Sequence, residues 1–574
     1  MADRPGAGSA SGDLNLAWAD ALLAGMASAG VRHAVISPGS RSTLLTLAAH
    51  RHHEISVTVI PDERSAAFFA MGLGRQSGRP AVVIGTSGSA PANWLPAAVE
   101  AAADAVPLIL ISADRPPGLH GVGANQTIEQ RGLFSSHVRA HFDLPAPATV
   151  DKEMDLPRSL GVHAAHRAVW PEPGPVHVNA AFREPLVPSA EALTLPPQSE
   201  PPARLRPPLL TPDPDMLDQF AADIAGKNVL IVAGRMRPDP TFAAAVAGLA
   251  AQLDCPILAD PLSGLRWGPH DRNRVCVGYD LLLRDAHEAQ RLAPDAVLQF
   301  GGTPTSASLQ RFLDQPGRQH WLVAPFGPWA DPGRRARQRI YADPARVAID
   351  LGARLAPADD SDWMSRWKKA DRRIAGLCDD PALVPAERDL VAALETVLPQ
   401  ASSLFIGNSM AIRAFDTFAR GRSSALMAFG NRGASGIDGN VSTALGIAAS
   451  ASGPTTALIG DLTLYHDMNG LLAARDRDIT FVVIDNGGGG IFDLLPQRRL
   501  PDFGRMWLTP TGLELSRVAA LYGLRHRACG SGPELHRHLA EACAASGPDL
   551  IEVRIDRAHS TDRFQTLWAA ASQR

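Results

Sequence analysis

Two short stretches in the last third of the chain combine residue types suited to holding a divalent cation. Gly460-Asp461-Leu462-Thr463 follows the apolar run Thr456–Ile459, and Asn486-Gly487-Gly488 follows the run Thr480–Ile484. Asp461 offers a carboxylate, Asn486 an amide oxygen and Gly488 a backbone carbonyl. These are hard oxygen ligands, suited to Mg²⁺ (with Mn²⁺ as an alternative) that also holds a diphosphate. The glycines let backbone N–H groups approach phosphate oxygens, and a helix expected over 466–475 presents the positive end of its dipole. GD and NGG are also ordinary turn sequences. The strand–helix–strand context favours a site, because it brings both motifs to neighbouring strand ends at one edge of a parallel sheet.

A second candidate is Asp62-Glu63-Arg64-Ser65-Ala66-Ala67. A glutamate at a helix start commonly stabilises the N-terminal dipole. A chemical role for Glu63 needs a cofactor supplied by another domain.

The elements that must position these groups read as α/β throughout. Continuous apolar strands alternate with helices, as in parallel sheets covered on both faces. Strands are expected at His33–Ser37, Ala81–Gly85 and Pro107–Ser112, then Asn228–Ala233, Pro256–Ala259 and Ala296–Phe300, then Ser403–Ile406, Thr456–Ile459, Thr480–Ile484 and Leu550–Val553; a helix is expected at Ala92–Ala103. At roughly 100–200 residues per domain, 574 residues suggest three domains. The expected fold class is α/β, with three doubly wound parallel-sheet domains at 14–186, 216–358 and 382–574. Residues 187–215 read as a proline-rich linker. Residues 1–13, rich in Ala, Gly and Ser and without an apolar signal core, read as a disordered lead-in.

Composition excludes several classes. With 55 basic and 59 acidic residues there is no basic excess for a nucleic-acid partner. No apolar run is long enough to span a membrane. Cys255, Cys276, Cys378, Cys529 and Cys543 form no CxxC or zinc-like spacing and read as reduced thiols of a cytoplasmic protein.

The Asp461–Gly488 arrangement is the pattern of the diphosphate-binding domain of thiamine diphosphate enzymes. More specifically, Ser37–Ser42 (SPGSRS), Asp62–Ala66, Ala113–Pro117 (ADRPP), Gly123–Gln126, Gly174–Leu186, Gly407–Met410 (GNSM), Gly430–Gly439 (GNRGASGIDG), Gly460–Gly470 and Gly488–Pro496 resemble the 2-succinyl-5-enolpyruvyl-6-hydroxy-3-cyclohexene-1-carboxylate synthase family. These motifs span nearly the whole chain in the family's order, and the middle region matches least.

The resemblance implies a pyrimidine-binding domain (14–186), a central domain (216–358) and a diphosphate-binding domain (382–574). It implies thiamine diphosphate and Mg²⁺ as cofactors, held through Gly460, Asp461, Leu462, Thr463, Asn486, Gly488, Gly489, Gly490 and Ile491. Ile437 would prop the cofactor in its bent form. Glu63 would set a carboxylate against N1′ of the aminopyrimidine, favouring the imino tautomer whose nitrogen removes the thiazolium proton. The implied active site lies between subunits of a dimer or tetramer.

The implied reaction decarboxylates 2-oxoglutarate and adds the remaining fragment to the conjugated alkene of isochorismate, in menaquinone biosynthesis. Both substrates are dianions, and Arg41, Arg115, Arg413 and Arg432 would meet their carboxylates through planar two-pronged hydrogen bonding. Ser40, Gln126 and Ser409 match neutral substrate contacts. Ile491, Phe492 and Leu495 match an apolar wall.

The chain departs from the family where a basic pair is usual. Thr305–Arg311 (TSASLQR) places Ala307 and Ser308 there, with Arg311 as a substitute from another turn. Asp485 stands where Asn is common, and Thr511 where His is frequent. The alternative is therefore a related carboligase or decarboxylase with another acceptor or 2-oxo acid. Glu63, Asp461 and Asn486 argue against a non-catalytic relative. The arginines and SPGSRS argue against a flavin-containing carboligase.

Overall fold

The computed structural model describes residues 7–147, 154–196, 206–357 and 362–573. It contains two compact units, one formed by residues 1–207, 431–450 and 466–474, the other by the rest.

The first unit is built on β1 (His33–Ile36), β2 (Ser56–Val59), β3 (Ala81–Gly85), β4 (Leu108–Asp114), β5 (Ala140–Leu144) and β6 (Pro175–Ala181). They form a parallel sheet in the order β2-β1-β3-β4-β6-β5. Every residue of β3, β4 and β6 is buried, as continuous apolar strands covered on both faces require. Within this unit the helix Glu63–Ser77 packs against the helix Asn440–Ala448. Gly72 and Gly446 permit backbone-to-backbone approach: a Cβ on Gly72 would lie 2.2 Å from the Thr443 carbonyl oxygen, and one on Gly446 2.0 Å from that of Phe69.

The second unit holds two parallel sheets. One comprises β7 (Val229–Ala233), β8 (Ile257–Ala259), β9 (Val275–Cys276), β10 (Ala296–Phe300), β11 (Gln319–Val323) and β12 (Gln338–Ile340), in the order β12-β11-β10-β7-β8-β9. The other comprises β13 (Ser402–Ile406), β14 (Leu426–Phe429), β15 (Thr455–Gly460), β16 (Ile479–Asp485), β17 (Arg525–Cys529) and β18 (Asp549–Arg554), in the order β14-β13-β15-β16-β18-β17. Counted from its own first strand, this sheet repeats the strand order of the first unit's sheet. One contiguous apolar core runs through both sheets of the second unit.

A buried polar knot also ties these two sheets together. Arg266, fully buried, donates through Nε to the Ala259 carbonyl at the end of β8 and through Nη2 to Asp416 Oδ1 at 2.8 Å; the Tyr279 hydroxyl donates to the same carboxylate. Nη1 donates to the carbonyls of Phe415, Asp416 and Ala419, clamping the helix Met410–Phe418. Asp416→Ala leaves a buried guanidinium uncompensated and is expected to cost about 3–5 kcal/mol, read by chemical denaturation.

The expected strands all appear, with ends shifted by one or two residues. Several other expectations are corrected. Residues 7–13 are not a lead-in but the start of the helix Ala7–Ser28. Their glycines and serines do not favour helix by propensity; the helix extends back from the apolar positions that pack on the first sheet, and residues 1–6 lie outside the described residues. The expected helix Ala92–Ala103 is broken at Asn93–Trp94 into Ser89–Ala92 and Leu95–Ala103, because Pro96 has no N–H to continue the ladder. The linker contains a short helix, Ala190–Thr194, and ends where the helix Pro214–Ile224 begins, capped by Asp213; residues 197–205 lie outside the described residues. The stretch left between the second and third domains carries the helix Asp362–Asp379. The helix expected at 466–475 starts instead at Asp461, runs to His466, and is followed by the 3₁₀ segment Met468–Ala474. All five cysteines are free thiols. Among the described residues, no helix is long and apolar enough to cross a membrane.

Candidate functional site

In the second unit, β13, β15 and β16 are paired neighbours, so their carboxyl ends lie side by side. Asp461 follows β15 as the first residue of its helix, and Asn486 follows β16. The Gly488 N–H donates to Asp461 Oδ2 at 2.7 Å, and the Leu462 N–H donates to Oδ1 at 2.8 Å. One carboxylate thus clasps the two motifs. Burial, aided by the charge of Asp485, pushes the Asp461 carboxyl up to about 6, while its backbone N–H partners pull it back. Asn486 Oδ1 is buried and without a hydrogen-bond partner. Gly488 has φ +119°, and a Cβ there would stand 2.0 Å from the Leu508 carbonyl oxygen. An orphaned amide oxygen, a buried carboxylate and a glycine-only backbone fit a divalent ion with a diphosphate. Gly460 and Thr463 flank Asp461 in the chain, and Gly489 and Gly490 follow Gly488.

Around it, Ile491 and Phe492 are half-buried and Leu495 is 40% exposed, so the apolar wall faces open space. Ser409, after β13, holds φ +65° and ψ −124° at the cap of Met410–Phe418. Such strain in a residue other than glycine costs roughly 1–3 kcal/mol and concentrates at functional sites. Arg413, one turn on, is exposed and donates through Nη1 to the Ser409 carbonyl at 2.7 Å.

In the first unit the corresponding strand ends carry the other group. Ser40 and Arg41 follow β1, Ser87 follows β3, and Arg115 follows β4, the places that Ser409, Asp461 and Asn486 occupy on the third sheet. Ligands sit at this edge of open parallel sheets, where the strand order reverses. Arg115 Nη1 donates to Ser87 Oγ and, at 2.7 Å, to the Gln126 carbonyl; Gln126 Nε2 donates to the Ser87 carbonyl at 2.9 Å. Burial and then the neighbouring Arg41 charge push the Arg115 guanidinium down from its usual range. Asp114 and Glu184 pull it back up. Arg41 is otherwise anchored to the Phe182 carbonyl at 3.1 Å and to Glu184 at 3.2 Å.

Glu63, after β2, is the first residue of its helix and half-buried. Asp62 caps that helix, accepting from the Arg64 and Ser65 N–H groups. Arg432 and Ile437 lie in the segment that leaves β14, the strand equivalent to β2, and both are half-buried within the first unit.

Of the departures, Ala307 is the first residue of the helix Ala307–Leu313, capped by Ser306. Ser308 is buried, whereas Ala307 and Arg311 are both exposed one turn apart. Asp485 Oδ1 accepts from Gly487 N–H at 3.4 Å, and Thr511 Oγ1 from Leu513 N–H at 3.4 Å; both shape turns. Sequence reasoning missed Ser87, which ties Arg115 to Gln126. It also missed Gln130 and Asn179, whose buried amides hold Gly88 and link to Asp114 beside Arg115. A Ser-Gly loop closing a buried strand between the two arginine-bearing loops was the available signal.

Comparison with known proteins gives the family. Residues 17–133 match the family description "Thiamine pyrophosphate enzyme, N-terminal TPP binding domain", residues 215–406 "Middle domain of thiamine pyrophosphate", and residues 408–553 "Thiamine pyrophosphate enzyme, C-terminal TPP binding domain". The 2-succinyl-5-enolpyruvyl-6-hydroxy-3-cyclohexene-1-carboxylate synthase of Dechloromonas aromatica (strain RCB) is 43% identical, covering 95% of this chain and 99% of the relative. That of Geobacillus kaustophilus (strain HTA426) is 40% identical, covering 96% and 97%. Among solved structures, benzoylformate decarboxylase from Polynucleobacter necessarius superposes with a TM-score of 0.72 at 17% identity over 94% of this chain and 98% of that one, a likeness of fold. The chain belongs to the 2-succinyl-5-enolpyruvyl-6-hydroxy-3-cyclohexene-1-carboxylate synthase family of thiamine diphosphate-dependent enzymes.

Proposed function

We infer that the chain decarboxylates 2-oxoglutarate and joins the four-carbon remainder to isochorismate, giving 2-succinyl-5-enolpyruvyl-6-hydroxy-3-cyclohexene-1-carboxylate in menaquinone biosynthesis. The observation that carries this reading is the Asp461–Gly488 clasp beside the orphaned Asn486 oxygen, in a chain similar over its whole length to such synthases.

When bound, thiamine diphosphate supplies the electron sink on which a 2-oxo acid loses CO₂ and its remainder becomes a nucleophile. Asp461, Asn486 and the Gly488 carbonyl would hold Mg²⁺, and the N–H groups of the glycine-rich turn would orient the diphosphate. Glu63 would set its carboxylate against the pyrimidine ring nitrogen and exchange a proton with it. Arg41 and Arg115, with Ser40 and Gln126, bind carboxylates on the first unit's sheet edge. Arg413 and Ser409 do so at the third sheet, and Arg432 adds a further cation. Ile491, Phe492 and Leu495 would line the site with apolar surface. Arg311 stands in for the relatives' basic pair, since it shares an exposed helix face with Ala307.

The working domains are pyrimidine-binding (14–186), central (216–358) and diphosphate-binding (382–574). The assembly is a cytoplasmic dimer or tetramer in which Glu63 of one subunit serves the cofactor held by another.

The test follows isochorismate consumption with thiamine diphosphate, Mg²⁺ and 2-oxoglutarate. Consumption that needs every component is expected. Release of CO₂ from 2-oxoglutarate with isochorismate untouched would transfer the assignment to a carboligase with another acceptor. In the same assay Arg115→Ala removes a charged hydrogen-bonding group and is expected to raise the KM of a dianionic substrate about 10- to 100-fold, with kcat changed less.

A further inference from the structure

The turn that carries Arg432 and Ile437 is fastened by a side chain from elsewhere in the first unit. Glu100, on the helix Leu95–Ala103, is only 4% exposed. Its Oε1 accepts from the Gly433 N–H at 2.8 Å, and its Oε2 from the Ala434 N–H at 2.6 Å and the Ser435 N–H at 3.3 Å. Three successive backbone N–H groups converging on one point form an anion cradle, and here a protein carboxylate fills it. Within the turn the Ser435 hydroxyl donates to the Arg432 carbonyl at a long 3.5 Å. Ser435 sits at φ +64° without being glycine, a conformation that persists only when its surroundings impose it. Beside the turn lies a cavity of about 280 Å³, lined in part by Phe68, Val99, Ala434 and Asp438, so packing does not hold the turn from that side. Arg75, at 3.5 Å from Glu100 Oε1 and paired also with Asp104, balances the buried charge. Burial pushes the Glu100 carboxyl up, while Arg75 and the turn's N–H groups pull it back.

We propose that Glu100 is a positioning residue: its carboxylate fixes the 433–435 backbone so that Arg432 and Ile437, on either side of it, are presented to substrate and cofactor. This rests on the roles assigned above to those two residues. The carboxylate is required because both of its oxygens accept from the turn. A glutamine of the same shape must aim its NH₂ group at a backbone N–H, whichever way it lies.

The experiment uses the full-length protein and titrates thiamine diphosphate, at fixed Mg²⁺, into the parent, Glu100→Gln and Ile437→Ala. Thermal denaturation of the cofactor-free proteins runs in parallel. Glu100→Gln is expected to weaken cofactor affinity about tenfold or more and, because it sets an NH₂ group against a buried N–H, to lower the cofactor-free melting temperature modestly while the protein stays folded. Ile437→Ala should weaken it comparably. If Ile437→Ala weakens binding and Glu100→Gln does not, the positioning role is wrong. If neither variant matters, the assignment of Ile437 itself falls. Amide hydrogen exchange of the parent gives a reading that does not depend on the variant folding: Gly433, Ala434 and Ser435 are expected to exchange slowly, and exchange at open-loop rates would overturn the proposal.

Discussion

Glu63→Gln is expected to keep the fold and cofactor binding while losing about 10²- to 10⁴-fold in kcat, the usual yield of a positioned proton-transfer group. That loss corresponds to about 3–5 kcal/mol of barrier. The alternative role for a helix-start glutamate, stabilising the dipole, is worth only about 0.3–1 kcal/mol, so the two roles separate by magnitude. The helix does not depend on Glu63 for its start. Asp62 caps it, Asn469 Nδ2 donates to Asp62 at 3.1 Å, and Arg64 Nη2 donates to the His466 carbonyl at 2.6 Å. Steady-state assays with a parallel cofactor titration check the prediction. A kcat within a few-fold of the parent would reduce Glu63 to a dipole residue.

Asp461→Asn is expected to abolish cofactor-induced stabilisation. In the parent, cofactor at a hundred times its Kd should add about 2.7 kcal/mol of stability, visible as a rise in Tm. The asparagine keeps the shape but loses the charge, and one of its two positions becomes an NH₂ group. If that NH₂ group takes the place of Oδ2, it faces the Gly488 N–H that now donates there at 2.7 Å; if it takes the place of Oδ1, it faces the Leu462 N–H. Either placement loosens the clasp and removes the carboxylate from the cation. Metal and diphosphate affinity should fall by more than about 100-fold, beyond the 10- to 100-fold typical of residues that merely orient a ligand. Denaturation scans with and without thiamine diphosphate and Mg²⁺ measure the effect. An undiminished Tm shift would remove Asp461 from the cation site.

The sequence alone determined the α/β class, the strands and the chemistry of the two motifs. Those features are local: a buried parallel strand must be a continuous apolar run, and an oxygen-donor motif at a strand end needs only its own few residues. Gly460–Thr463 and Asn486–Gly488 could therefore be read as neighbours before any coordinates. Local breaks were less legible. Pro96 splits a helix that composition alone makes continuous, and the start, with its glycines and serines, belongs to a helix that its composition hides. Only the tertiary structure decided how the strands are ordered, and with it that Arg41, Ser87 and Arg115 share one sheet edge in the arrangement Ser409, Asp461 and Asn486 repeat on another. It alone also showed that Ser308 is buried while Arg311 stays exposed, and that Glu100 holds a turn more than three hundred residues away. These relations are set by packing between segments distant in the chain, where neither hydrophobic periodicity nor motif spacing carries information.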